Sequence, residues 1–271
     1  MGQSPTPEAA PAAPSSLDEV RARIDAIDEQ VLRLVGERAT LSAAVVKAKR
    51  AKGENGFGLR PAREAQLLRK LLIAKSPEIS FELVVSLWRQ IMADSLARQG
   101  PFHVSLWGGK NPYRTIELTR VRFGSGVAVR PAPRPEDALS AAKSAGGVAV
   151  LALASDSPWW GRLLAEPRLS VFASLPCLRR WGPPTALAVA QVEVEPSGRD
   201  ETFWVTDSAK SPPAIIDELG RIGFAAEMLA SAGGLRLFTL AGFVQRDDAR
   251  LHAAPGELKG VIGAASMPFD V

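Results

Sequence analysis

The segment 17–52 contains no proline and a single glycine, Gly36. Across it, apolar residues recur at heptad-like spacing: Leu17, Val20, Ile24, Ile27, Val31, Leu34, then Leu41, Val45 and Ala48. That pattern predicts one long amphipathic helix. Ser16 followed by Glu19 forms a capping-box start, and Gly53 with Asn55 and Gly56 forms a stop. At a rise of 1.5 Å per residue such a helix runs about 50 Å, longer than a compact globule of this size holds inside itself. It requires a partner along its whole length.

Two further helices are expected before residue 100. One starts at Pro61, a good first-turn residue, and carries Leu67, Leu68, Leu71 and Leu72 to residue 74, where Ser76-Pro77 ends it. The other begins near Ser80, carries Leu83, Val84, Leu87, Ile91 and Met92, and stops before Gly100-Pro101. Beyond Pro101 the pattern changes to short β-rich runs at 102–107, 127–130, 148–153, 186–194, 202–206 and 235–240, with helical stretches such as 135–143 and 213–221 between them. Strands alternating with helices predict an α/β or α+β domain. The expected organisation is therefore multidomain: a tail over 1–15, a three-helix all-α domain over 16–100, and an α/β (α+β) domain over 101–271.

Composition excludes several classes. With 46% hydrophobic and 23% charged residues and a mean hydropathy of +0.02, the 271-residue chain is neither disordered nor fibrous. The longest apolar stretch, 146–154, is far below the roughly 18 residues of a spanning helix, so no membrane partner is expected. Cys177 is the only cysteine, which rules out an internal disulfide and a zinc cluster. Residues 1–15 are rich in Pro and Ala with neither a basic nor an apolar signal region, and they read as a disordered tail on a cytoplasmic protein. The net charge of +4 is carried by residues 17–100. It is too small to indicate nucleic acid and suits an anionic small molecule equally well.

Arg38 is the informative residue. Continuing the seam from Ile24 and Val31 puts it on the apolar stripe, where an anion should meet its guanidinium. A carboxylate such as Glu64, solvent reached by snorkelling, and an anionic ligand all satisfy that requirement. Lys49 lies three helical turns further on and shares the face of Arg38, about 16 Å away. Arg63 and Glu64 open the second helix, where outward N–H groups and the helix dipole favour anions. Ser95 and Gln99, spaced i,i+4, share a face of the third helix with Trp88 and Met92. Residues 1–100 contain no His, Cys or Tyr, so the usual nucleophiles and the neutral-pH proton shuttle are missing. What remains suits catalysis by binding and electrostatic stabilisation.

On the motifs LDEVRARIDAIDEQVLRLVGERATL, VVKAK, RPAREAQLL and IMADSLARQ, residues 16–100 resemble the all-helical (AroQ-type) chorismate mutases. The resemblance implies a Claisen rearrangement of chorismate to prephenate, in aromatic amino-acid biosynthesis, without cofactor or metal. It places Arg21, Arg38, Lys49, Arg63, Glu64, Ser95 and Gln99 around the substrate, with Arg60 where some members carry an aspartate. Arginines would clamp the two carboxylates. Lys49 and Gln99 would donate to the ether oxygen as its charge grows. Glu64 would bind the ring hydroxyl, and Ser95 would support a carboxylate. Arg21 and Arg38 stand 17 residues apart on one helix, about 25 Å and 100° around the axis, so both can serve one ligand only if Arg21 comes from a second protomer. The family's intertwined homodimer would provide that.

Residues 102–271 faintly resemble a prephenate dehydratase, and 201–271 a reduced ACT-like βαββα unit. LWGGKNPYRT, LALASDS and ETFWV stand where that enzyme's motifs are expected, and ETFWV keeps Thr202 and Phe203 without the arginine between threonine and phenylalanine. The domain is expected to be degenerate. Gly108-Gly109, Gly233-Gly234 and Asp247-Asp248 read as turns, Trp159-Trp160 as core, and His103 and His252 as too scattered for a metal. Two alternatives stay open: a bifunctional mutase and dehydratase, and a non-catalytic helical dimerisation module with a ligand-sensing domain.

Overall fold

A computed structural model describes residues 16–53, 58–154 and 156–270; the expected tail over 1–15 lies outside the described residues. The chain divides into two compact units, one holding the first helix and the other everything from the second helix onward.

The described residues of the first unit form one uninterrupted helix, α1 (Leu17–Ala51), about 52 Å long at the standard rise. Its start is the reciprocal capping box read from the sequence: the Ser16 amide donates to Glu19 Oε2 at 3.1 Å, and the Glu19 amide donates to Ser16 Oγ at 3.2 Å. The whole apolar seam is exposed, from Leu17 and Ile24 through Val31 and Leu34 to Leu41 and Val45.

The second unit begins with a hairpin of α2 (Pro61–Ala74) and α3 (Phe81–Ala97), the latter capped by Ser80 Oγ on the Leu83 amide at 3.2 Å. There follow β1 (His103–Trp107), α4 (Pro112–Phe123), β2 (Ala128–Pro131), α5 (Pro135–Ala142), β3 (Gly147–Ala152), β4 (Ser170–Leu175) and β5 (Ala186–Ala190). The chain ends with β6 (Asp200–Thr206), α6 (Pro212–Arg221), β7 (Ala226–Ala232), β8 (Leu235–Ala241) and β9 (Lys259–Ser266). All nine strands form one mixed sheet of order β2-β1-β3-β5-β4-β9-β6-β8-β7. Strands β1, β2 and β3 are parallel, β5 runs antiparallel to β3 and β4, and a single parallel pair, Val171 with Gly263, joins β4 to β9. The chain is thus multidomain, helical and then α/β.

Three elements were not anticipated, α4, β4 and β9, and β7 had no range among the expected runs although the βαββα unit calls for a strand there. The unit expected as βαββα over 201–271 instead ends on a strand, with only a 3-10 turn (Ala249–Ala253) before β9. Its four strands pair antiparallel in the order β9-β6-β8-β7.

The α2–α3 hairpin is seated on this sheet. Ala65, Leu68 and Val85 are buried in a cluster with Cys177, Leu178 and Phe269, while Leu59 and Leu96 join Val104, Leu106, Leu118 and Phe123. Arg69 reinforces the seat: its guanidinium donates to the Ser197 carbonyl at 2.6 Å, the Arg199 carbonyl at 2.8 Å and Ser266 Oγ at 2.6 Å. No helix among the described residues is long and apolar enough to cross a membrane.

Candidate active site

The candidate residues fall in both units. On α1, Arg21 is exposed beside Asp18 at 3.6 Å, and Arg38 is half-buried. Their 17-residue separation on one unbroken helix keeps the two side chains about 25 Å apart along the axis. Lys49 belongs to the same helix by its backbone, and its side chain lies outside the described set.

On the α2–α3 hairpin the expected polar residues occupy defined positions. Arg60, just before α2, is exposed and pairs with Glu195 at 3.3 Å; Arg63, in the first turn, is exposed. Ser95 is buried on α3 and donates to the Ile91 carbonyl at 2.9 Å. One turn later, Gln99 Nε2 donates to the Ser95 carbonyl at 3.1 Å. The carboxamide is also confined from the other side, because a Cβ placed on Gly58 would lie 1.9 Å from Gln99 Oε1. A side chain at position 58 would therefore push the Gln99 carboxamide aside.

Glu64 sits at the centre of a buried charge cluster that the sequence did not reveal. Its Oε2 accepts from Arg89 Nη1 on α3 at 2.7 Å and lies 3.0 Å from Arg122 Nη2 on α4. The side chains are 16%, 6% and 5% exposed respectively, so the pairings are shielded from solvent. The Arg122 guanidinium also lies over the rings of Phe123 and Phe172, 4.9 and 5.8 Å from their centroids. Burial, together with the neighbouring Arg122 cation, pushes the Arg89 guanidinium down to about 10 against the pull of Glu64. Arg89 Nε is buried without a hydrogen-bond partner. Two cations on one carboxylate leave a net positive charge inside the unit. A signal for Arg89 existed, since it lies four residues after Val85 on the buried stripe of α3. Arg122 had none until α4 was known.

In the C-terminal domain the glycine pairs, the tryptophan pair and Asp248 occupy turn and core positions. Thr202 is fully buried, and its hydroxyl is used twice: Oγ1 donates to the Gly242 carbonyl at 2.7 Å and accepts from the Val244 amide at 2.9 Å. Gly233 and Gly234 take positive φ in the β7–β8 turn, and Gly108 lies so close to Pro112 that a Cβ would clash. Trp159 and Trp160 are core residues in edge-to-face contact, with centroids 5.8 Å apart. Asp248 caps the 3-10 turn through the Arg250 amide. Among the described residues no group of three or more His, Cys, Asp or Glu side chains could hold a metal ion.

Residues 20–100 match the family model described as chorismate mutase type II. All seven residues that the family resemblance assigns to the substrate lie within that span. Over a slightly longer stretch, the chain is similar to two bifunctional chorismate mutase/prephenate dehydratases. That of Stutzerimonas stutzeri is 31% identical over 118 residues, covering 42% of this chain and 32% of the relative. That of Neisseria gonorrhoeae is 29% identical over 117 residues, covering 43% and 31%. The match spans about a third of the length of these relatives. Two solved structures align more broadly but loosely, both at 13% identity. One, titled as GqqA, a novel type of quorum quenching acylases, has a TM-score of 0.39 and covers 62% of this chain and 96% of that one. The other, a prephenate dehydratase from Arthrobacter aurescens in complex with L-Phe, has a TM-score of 0.37 and covers 61% and 90%.

Proposed function

We propose that the protein is a chorismate mutase, an isomerase that converts chorismate to prephenate. The observation that carries this reading is the family match over 20–100, with Arg21, Arg38, Lys49, Arg63, Glu64, Ser95 and Gln99 all inside it. In this reading the arginines hold the two carboxylates so that the enolpyruvyl group lies over the ring. The ether C–O bond breaks as the new C–C bond forms, with no covalent intermediate and no cofactor. Lys49 and Gln99 donate to the ether oxygen as negative charge gathers on it, Glu64 binds the ring hydroxyl, and Ser95 supports a carboxylate. Arg60, paired with Glu195, borders the site.

A homodimer belongs to the same proposal. The seam of α1 is exposed from Leu17 to Val45 within one chain, a larger apolar face than a soluble monomer ordinarily leaves open. A second α1 that covered it would also bring its own Arg21 to a site containing Arg38.

The names of the curated relatives favour a second reading, a bifunctional mutase and dehydratase. The Thr202 hydroxyl counts against it, being buried and already engaged as both donor and acceptor. The purified chain incubated with chorismate, with products separated, tests both readings. Prephenate as the end product supports the first, and enzyme-dependent phenylpyruvate supports the second. Absence of turnover overturns both and leaves a helical dimerisation module.

A further inference from the structure

The segment that matches the mutase family ends at residue 100, yet one member of the buried cluster around Glu64 comes from beyond it. Arg122 projects from α4 of the C-terminal domain, whereas Glu64 and Arg89 belong to the α2–α3 hairpin. Both arginine contacts are made to the same oxygen, Oε2, at 2.7 and 3.0 Å. Oε1 takes no hydrogen bond from the described residues. The guanidinium of Arg122 is held in place by the Phe123 and Phe172 rings, and its side chain is 5% exposed. A carboxylate hydrogen-bonded by Arg89 and ion-paired to Arg122 through the same oxygen is restricted in orientation, and its other oxygen is left to accept from a further donor.

We propose that Arg122 is a positioning residue for the mutase reaction, supplied by the C-terminal domain, which with Arg89 fixes Glu64 through Oε2 and so presents Oε1 to the substrate. The proposal rests on the mutase reading of Glu64. It gives the C-terminal domain a part in the reaction that requires no catalytic group of its own. It also accounts for a buried arginine pair that hydrophobic packing alone does not demand. An excess buried cation is costly and is retained where its geometry serves something else.

The test is a double-mutant cycle on the full chain, reading kcat/KM for chorismate with a thermal melt of every variant. Arg122→Gln in the otherwise native protein is expected to lower kcat/KM about tenfold to a hundredfold, as a misplaced binding group does. In the Glu64→Gln background, assayed at a temperature where its melt shows it folded, the same change is expected to cost less than about twofold, because the residue it acts through is already disabled. Should Arg122→Gln not fold, the cycle is run with Arg122→Lys, which keeps the cation and loses the planar fork. A merely structural role lowers the melting temperature and reduces activity by the same factor in both backgrounds, and that result overturns the proposal. So does a folded Arg122→Gln with native kcat/KM. A native chain that turns over no chorismate overturns the mutase reading itself, an outcome distinct from the other two.

Discussion

Substituting Gly58 by alanine separates a positioned Gln99 from a merely neighbouring one. The new Cβ would stand 1.9 Å from Gln99 Oε1 and 2.7 Å from Cδ. Ordinary contact begins near 3.4 Å, so the carboxamide must retreat by about 1.5 Å. The retreat is cheap for the fold. The obstacle is the far end of a flexible side chain, a displaced rotamer costs roughly 0.5–1.5 kcal/mol, and replacing glycine recovers about 0.4–1 kcal/mol from the unfolded chain. The net stability change is therefore within about 1 kcal/mol, or roughly 2–4 °C in Tm. The consequence for catalysis is much larger if Gln99 donates to the ether oxygen: displacement by more than about 1 Å costs on the order of a hundredfold in kcat. Chorismate consumption and a thermal melt on the same preparation read both quantities. In a Gln99→Ala background the three atoms nearest the alanine at 58 are gone, and it should have no further effect on rate. A Gly58→Ala protein that keeps native kcat, or that loses the same factor with and without Gln99, would refute the assignment of Gln99 as the donor.

Three other outcomes are expected. Lys49→Ala should lower kcat by roughly 10²–10³ with little change in the melt, since it removes the second donor to the developing charge; a near-native rate sinks the mechanism. Inactive Arg21→Ala and Arg38→Ala chains, mixed under conditions of verified subunit exchange, should recover activity, because a hybrid dimer builds one complete site. Glu201→Gln should raise Tm at pH 8. Glu201 accepts from Ser174 Oγ at 2.7 Å, and burial pushes its carboxyl above the usual 4.5, so the unfolded chain ionises first and stability is lost as pH rises above that value. Below pH 4.5 the two proteins should melt alike, and an advantage that persists there would refute the account.

The N-terminal helices were legible because their ends carry chemical marks. Ser16 and Glu19 form both bonds of the capping box, and Pro61 and Ser80 open the next two helices where they were placed. Strands rich in β-branched and aromatic residues, such as β6, were legible too. Those missed were disguised by composition. The β7 sequence AEMLASA consists largely of helix formers, and it is a strand because the turn at Gly233 and Gly234 pairs it with β8. Most of the β9 sequence KGVIGAAS is small residues, and Gly263 is small because a Cβ there would lie 2.1 Å from the Val171 carbonyl oxygen. In α4, arginines and threonines break up any apolar period, so both the helix and Arg122 went unread. The candidate site divides in the same way. Residue types and helical spacing pointed to Arg38, Lys49, Ser95 and Gln99, whereas the company of Glu64 depends on a chain crossing that no local pattern encodes.

That crossing changes how substitutions far from the hairpin should be interpreted. The α2–α3 hairpin buries Ala65, Leu68 and Val85 against Cys177, Leu178 and Phe269, and Arg69 grips the 197–199 backbone and the end of β9. Removing one partner of a buried charge cluster typically costs about 3–5 kcal/mol, because the remaining charges stay buried. The Glu64 cluster holds two cations to one anion, so loss of Glu64 leaves Arg89 and Arg122 facing each other without compensation. Loss of an arginine, in contrast, leaves a one-to-one pair. The two kinds of substitution should therefore differ in sign of charge and in severity: Glu64→Ala damages the fold as well as the site, while Arg122→Gln leaves a balanced Arg89–Glu64 pair and disturbs chiefly its direction. Stability and rate must be measured together at these positions, since a drop in activity alone cannot separate a misaimed carboxylate from an unfolded hairpin.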